Sequence, residues 1–190
     1  MHSRITEVAG GPGDGGSSFV KEMVVPGFES EDGFEGLILL VGEGGRGISV
    51  ALFRDQDAVQ ATDEQAAGFR SEASGRGYEV NLVGTFEVVG SDIRGGDPKA
   101  ARFLRVSGGG DFGAVFRDTV IPTFGAVDGY LGAIAGTSDG AGFGISLWRD
   151  EASREGATDA ISRIREAMGA AGVNIDSVEE LSVGIAQLPG

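Results

Sequence analysis

The stretch that decides the fold occurs twice in this chain. The first copy is Gly47-Ile48-Ser49-Val50-Ala51-Leu52-Phe53-Arg54-Asp55, and the second is Gly142-Phe143-Gly144-Ile145-Ser146-Leu147-Trp148-Arg149-Asp150. Each copy predicts a strand that ends in an aromatic residue, followed by Arg-Asp and a helix. The helix is expected because aspartate is a favoured N-cap residue.

Two shorter matches flank these copies in the same order. Val25-Pro26-Gly27-Phe28 matches Ile121-Pro122-Thr123-Phe124, and Asp32-Gly33-Phe34-Glu35-Gly36 matches Asp128-Gly129-Tyr130-Leu131-Gly132. The matched segments lie about 95 residues apart, a period typical of a duplicated domain and too long for a solenoid. We therefore predict a first repeat at residues 1–92, a linker at 93–100 and a second repeat at 101–190.

Each repeat predicts the element order β-α-β-β-α-β of a ferredoxin-like unit. In the first repeat, Ser17 or Ser18 is expected to cap a helix that Pro26 ends, and Asp55 or Asp57 is expected to cap the second helix. Between these helices, the apolar run 36–42 and the repeated stretch form a hairpin around a glycine-rich turn. The second helix presents an apolar stripe of Ala58, Val59, Thr62, Ala66, Phe69 and Ala73.

Composition excludes several classes of function. The chain has 190 residues, a formal net charge of −14, no cysteine and one histidine, His2. Such a charge disfavours nucleic acid and anionic lipid as partners, and the residue types rule out thiolate chemistry and disfavour histidine-based catalysis or metal binding. No signal peptide and no apolar run of ~18 residues is visible, so we expect a cytoplasmic protein without a membrane span.

On these motifs, each repeat resembles the dimeric α+β barrel superfamily, in its antibiotic-biosynthesis-monooxygenase-like branch. The residues that carry the resemblance are 33–36 with 52–55 in the first repeat and 128–132 with 147–150 in the second. The resemblance implies an α+β fold in which two tandem ferredoxin-like units close one barrel within the chain, and it leaves room for a homodimer. We expect the large aliphatic residues of each repeated strand to face the helices and the small ones to face the barrel interior.

The resemblance implies two functions that the residues do not separate. One is a cofactor-independent oxygenase, or a related enzyme, that acts on a small apolar or aromatic substrate. The other is a non-catalytic module that binds a small ligand or a partner. Haem-degrading members rely on Asn, His and Trp, whereas the first strands offer Thr6, Glu7, Leu104 and Arg105, so haem degradation is not expected. No cofactor, metal site or catalytic residue is assigned.

Candidate ligand-pocket residues are the large apolar side chains that the two repeats place at helical spacing or at strand ends. Each of them is equally well explained as core, and Trp148 is either a ligand-stacking ring or core like Phe53 at the matching position. The second repeat holds more of them. The candidates are Phe19, Met23, Phe28, Phe116, Phe124, Tyr130, Trp148 and Met168.

The repeated charges and the glycine-rich loops have simpler explanations than ligand binding. Arg54-Asp55 and Arg149-Asp150 could clamp an anion, but they also fit helix caps beside solvated arginines. Asp32 and Asp128 are expected to shape turns. The loops at 10–16 and 107–110 lack the lysine of a phosphate-binding loop, so we interpret them as flexible connections.

Overall fold

In a computed structural model that describes residues 1–188, the first half of the chain follows the predicted element order. Its strands are β1 (His2–Gly10), β2 (Phe34–Val41), β3 (Gly47–Phe53) and β4 (Tyr78–Ile93). A helix formed by α1 (Ser17–Phe19), a π-helical segment (Val20–Val24) and α2 (Val25–Glu29) follows β1, and α3 (Gln56–Ala61) and α4 (Asp63–Gly75) follow β3.

The second half repeats this order element by element. Its strands are β5 (Ala100–Gly108), β6 (Tyr130–Ser138), β7 (Ala141–Trp148) and β8 (Val173–Gln187). The first helix comprises α5 (Phe112–Val115), a π-helical segment (Phe116–Val120) and α6 (Ile121–Gly125), and the second comprises α7 (Glu151–Glu155) and α8 (Thr158–Ala170).

The eight strands form one closed antiparallel barrel in the order β1-β3-β2-β8-β5-β7-β6-β4, which confirms the predicted fold class. The repeated stretch supplies the middle strand of three in each half. Val50 of β3 pairs with Ile5 of β1 and Ile38 of β2. Ile145 of β7 likewise pairs with Phe103 of β5 and Ile134 of β6.

The described residues divide into two compact units, Met1–Glu87 with 182–188, and Val88–Leu181. The long strands β4 and β8 therefore each begin in one unit and end in the other. The boundaries predicted for the two sequence repeats, 1–92 and 101–190 around a linker at 93–100, stay a prediction. No helix among residues 1–188 is long and apolar enough to cross a membrane.

The expectation about the faces of the repeated strands is wrong. Ala51 and Phe53 pack with Phe28, Val59 and Ala66 of the helices. The aliphatic residues of β3 point to the other face of the sheet and are buried there, with exposed fractions of 2% or less: Ile48, Val50 and Leu52. Both faces of β3 are buried, so the alternation of residue size could not show which face meets the helices.

The first helix of each unit also differs from the prediction. Pro26 and Pro122 do not end it; each lies in the first turn of the helical segment that follows a π-helical segment. Proline has no N–H to donate within an α-helix and its ring crowds the carbonyl group one turn earlier. The wider π-helical turn before each proline accommodates both effects. Neither predicted serine caps the first helix. The Asp14 carboxylate accepts hydrogen bonds of 2.9 Å from the backbone N–H groups of Gly16 and Ser18.

The predicted caps of the second helices are confirmed in both units. The Asp55 side chain accepts a 2.9 Å hydrogen bond from the backbone N–H of Ala58, and Asp150 accepts one of 2.8 Å from that of Ser153. Each carboxylate thereby satisfies an N–H group that has no partner within its helix.

Candidate ligand-binding clefts

Each unit contains an apolar cleft between its helices and its sheet. The cleft of the first unit has a cavity volume of about 60 Å³, within a depression of about 570 Å³ that includes open solvent. Small residues of β3, Ser49 and Ala51, form its floor beside Arg4 of β1. Helical residues form its walls: Phe19, Val20, Phe28, Ala66, Phe69 and Ala73.

The second unit has a cleft in the equivalent place, with a cavity volume of about 40 Å³ within a depression of about 510 Å³ that includes open solvent. Gly144 and Ser146 of β7 lie on its floor beside Arg102 of β5. Its walls are Phe116, Val120, Phe124, Ile161, Ile164 and Met168.

Each cleft contains two arginines, and they occupy equivalent positions in the two units. Arg4 and Arg102 occupy the same place on the first strand, opposite Ala51 and Ser146 respectively. Arg70 and Arg165 occupy the same turn of α4 and α8. Four cationic side chains thus border two apolar clefts in a chain of net charge −14.

In the first unit, the guanidinium of Arg4 is held by hydrogen bonds to three residues of the second helix. Its Nη1 donates to Oγ1 of Thr62 at 2.9 Å, and its Nη2 donates to the carbonyl oxygen of Val59 at 2.8 Å. Nη2 also pairs with the carboxylate of Asp63. Burial lowers the pKa of Arg4, and the nearby charge of Arg70 adds to this effect while Asp63 opposes it.

In the second unit, Arg102 has one hydrogen-bond partner among residues 1–188, whereas Arg4 has three. Its Nη2 donates to Oε1 of Glu180 at 2.6 Å, and the other carboxylate oxygen of Glu180 lies 3.4 Å from Nη2 of Arg154. The hydrogen bond from Arg102 is the main reason that the pKa of Glu180 lies below its usual value. Nη1 of Arg102 is buried and has no hydrogen-bond partner within residues 1–188.

The structure places five of the eight predicted pocket residues at the clefts. Phe19 and Phe28 line the first cleft, and Phe116, Phe124 and Met168 line the second. Met23 lines neither cleft and packs against the cluster of Val8, Phe19, Ala73 and Tyr78.

Trp148 and Tyr130 lie behind the second cleft rather than in its lining. The Trp148 ring is fully buried and meets that of Phe124 edge-on at a centroid distance of 5.2 Å. Tyr130, 5% exposed, lies 5.6 Å from Trp148. Trp148 is therefore a core residue that contacts a cleft wall.

Sequence reasoning missed the four cleft arginines. A signal for them was present, since Arg70 and Arg165 lie at the spacing of the repeat, on the second helix of each unit. Arg4 and Arg102 are charged residues within the first strand of each unit, at a position that faces the helices.

The repeated Arg-Asp pairs do not form an anion clamp. Arg149 contacts the carboxylates of Asp128 and Asp150 at 2.9 Å and 3.2 Å, and Arg54 contacts Asp32 and Asp55 in the same way. These side chains are largely exposed and already paired. Within residues 1–188, no group of three or more His, Asp or Glu side chains is placed to hold a metal ion.

No protein-family model matches the sequence, and the search of curated proteins found no match. Solved structures share its fold. A candidate monooxygenase of Fusobacterium nucleatum is 15% identical with a TM-score of 0.70, covering 100% of this chain and 94% of its own. An anthrone oxidase-like protein is 10% identical with a TM-score of 0.60, covering 100% and 92%.

A third similar structure is a ferredoxin-fold protein of Listeria monocytogenes related to antibiotic biosynthesis monooxygenases. It is 7% identical with a TM-score of 0.51, covering 100% of this chain and 96% of that one. At these identities the likeness shows the fold alone. It confirms the closed α+β barrel fold that the sequence motifs predicted.

Proposed function

We propose that this protein binds a small apolar or aromatic molecule in the cleft between helices and sheet, with the second unit as the principal site. One observation carries the proposal: unfilled space recurs at the same place in both units, over a floor of small residues. Protein cores are normally packed to a density of about 0.75, whereas ligand sites are apolar clefts with a few polar groups.

The polar groups of the second cleft favour catalysis as a further step. Arg102 and Ser146 lie beside Phe116 and Phe124 there. A guanidinium stabilises an ionised substrate, such as a phenolate or enolate, better than it stabilises the neutral form. An ionised substrate can itself reduce O₂, so that a methylene group and O₂ become a carbonyl group and water without a cofactor. Two proteins of similar fold, the candidate monooxygenase and the anthrone oxidase-like protein, bear names of that class.

Trp148 makes binding in the second cleft measurable. It is the only tryptophan of the chain, and its ring contacts Phe124, a wall of the cleft. We expect 4-butylbenzamide, a neutral apolar probe, to change the Trp148 emission in a saturable way. A β-carbon at Gly144 would lie 3.2 Å from the Leu104 side chain, so Gly144→Val should fill the floor and abolish the response.

The matched control is Gly169→Ala, because a β-carbon there meets nothing within 4 Å. This variant should bind as the parent protein does. The binding proposal fails if the parent shows no saturable response, or if Gly144→Val responds as the control does. Oxygen consumption with acidic phenols then separates the oxygenase from a non-catalytic binding module.

Three wider expectations accompany this proposal: a tandem duplication, a cytoplasmic location and a homodimer. Asp55 and Asp150 lie 95 residues apart, as do Arg70 and Arg165, and this shared spacing supports the duplication. Native mass spectrometry of the purified protein would report the dimer and any retained small molecule together. A monomer mass across the micromolar range would contradict the homodimer.

A further inference from the structure

We infer that the second cleft selects an apolar ligand that carries a carboxylate, held by Nη1 of Arg102, and that the first cleft lacks this selectivity. The inference rests on the proposed binding function and names its ligand class. It follows from a difference between two clefts that are otherwise alike.

The first step concerns the burial and hydrogen bonding of Arg102. Its side chain is 9% exposed, and its buried Nη1 donates to no atom within residues 1–188. A buried donor without an acceptor is unfavourable, and a charged donor more so. Because Arg102 lines the cleft, a ligand that enters the cleft would bring an acceptor to this side chain. A guanidinium pairs best with the planar oxygens of a carboxylate.

The second step is why Arg4 differs. Arg4 is held by the Thr62 hydroxyl and the Asp63 carboxylate at the start of α4. At the start of α8 the equivalent residues are Ala157 and Thr158. Ala157 has no hydroxyl and Thr158 has no charge, so the second helix offers Arg102 neither partner. The sequence of the second unit thus leaves Nη1 of Arg102 without these partners, while Nη2 pairs with Glu180.

The third step is the charge around the cleft. Arg165 lies at its exposed mouth, and Arg154 shares Glu180 with Arg102. Glu151 pairs with Arg154 from the surface, where its side chain is 75% exposed. These three arginines and two glutamates together carry a net positive charge, which favours an anionic ligand. Phe116, Phe124 and Met168 would enclose the apolar part of that ligand.

A matched pair of probes tests the inference: 4-butylbenzoate and 4-butylbenzamide, which have nearly the same shape and differ in charge. We expect the benzoate to bind at least ~10-fold more tightly at neutral pH, since its carboxylate forms an ion pair with the guanidinium whereas the amide oxygen is uncharged. Arg102→Gln should remove this preference. Arg163→Gln removes the same charge from α8 outside the cleft lining and should keep the preference.

A second variant tests the inference without removing an arginine. Ala157→Thr combined with Thr158→Asp gives Arg102 the partners that Arg4 has, so the benzoate should lose its preference while the benzamide still binds. This variant decides the matter if Arg102→Gln does not fold.

The outcomes separate the two proposals. Equal binding of both probes by the parent protein, or an unchanged preference in the double variant, would overturn the carboxylate inference and leave the binding function standing. No binding of either probe would overturn both. Acetate should not compete at the concentration at which the benzoate saturates, because it lacks the apolar part.

Discussion

The indole Nε1 of Trp148 donates a 2.9 Å hydrogen bond to Oγ of Ser146, two residues earlier on the same face of β7. At the equivalent positions of β3, Phe53 and Ala51 have no polar group to pair. The second unit therefore has both the indole and its acceptor, and the first unit has neither. This is expected because a buried indole N–H needs an acceptor.

Removing the acceptor should cost stability only while the indole is present. We expect Ser146→Ala to lower the free energy of unfolding by ~1–3 kcal/mol, because Nε1 is left buried without a partner. In a Trp148→Phe background, the same change should cost much less, since β3 carries that Phe-and-Ala pair. Denaturant unfolding of the four proteins measures the coupling, and additive effects would contradict the pairing.

Trp148 itself should behave as a core residue. Its side chain is fully buried, so we expect Trp148→Ala to lower the free energy of unfolding by ~3–5 kcal/mol. A change below about 1 kcal/mol together with lost probe binding would instead assign the ring to the ligand.

The cap at Asp150 should make stability depend on pH. Hydrogen bonds from the Ser153 hydroxyl and backbone N–H hold the pKa of Asp150 below its usual value. A lowered folded-state pKa contributes stability that is present above the unfolded pKa and lost as pH falls through the folded pKa. We therefore expect Asp150→Ala to lower the thermal midpoint at neutral pH and to have a smaller effect in strong acid.

Asp150→Asn is the matched control for that cap. It keeps an acceptor for the Ser153 N–H, so it should retain most of the neutral-pH stability. Equal losses for the alanine and asparagine variants would show that charge, not the cap hydrogen bond, matters here.

Two glycines allow the cost of an unfavourable backbone conformation to be measured separately from the cost of a steric clash. Gly129 and Gly140 both have left-handed backbone angles, with φ of 78° and 81°. A β-carbon at Gly129 would lie 2.2 Å from Oγ of Ser153, whereas one at Gly140 meets nothing within 4 Å. We expect Gly140→Ala to cost ~1–2 kcal/mol and Gly129→Ala a further ~1–3 kcal/mol. Thermal or denaturant unfolding checks this order, and equal costs would contradict it.

Arg154 offers a test of a buried charge. It is 4% exposed, and its equivalent in the first unit is Val59. Glu180 would keep Arg102 as a partner, so we expect Arg154→Val to change the free energy of unfolding by less than about 1 kcal/mol or to raise it. Arg154→Ala, which leaves more space unfilled, should lower it by roughly 2 kcal/mol. A large loss in Arg154→Val would mean that this charge is needed for stability.

Much of the fold was readable because its signals are local. The caps at Asp55 and Asp150 act on N–H groups three residues away, and the repeated strand carries its own pattern. Pro26 misled the prediction because a π-helical segment, which has no clear sequence signature, precedes it. The site was only partly readable, since Phe116 and Phe124 fit a cleft wall and a core equally well.

The sequence by itself determined the two repeats, the order of their elements and the residues that cap the second helices, because these depend on neighbours along the chain. Only the tertiary structure decided which face of β3 and β7 meets the helices, because both faces are apolar. It also decided that Arg4 reaches Asp63, 59 residues away, while Arg102 reaches Glu180, 78 residues away. Such pairings depend on which strands and helices lie side by side, which residue spacing alone does not specify.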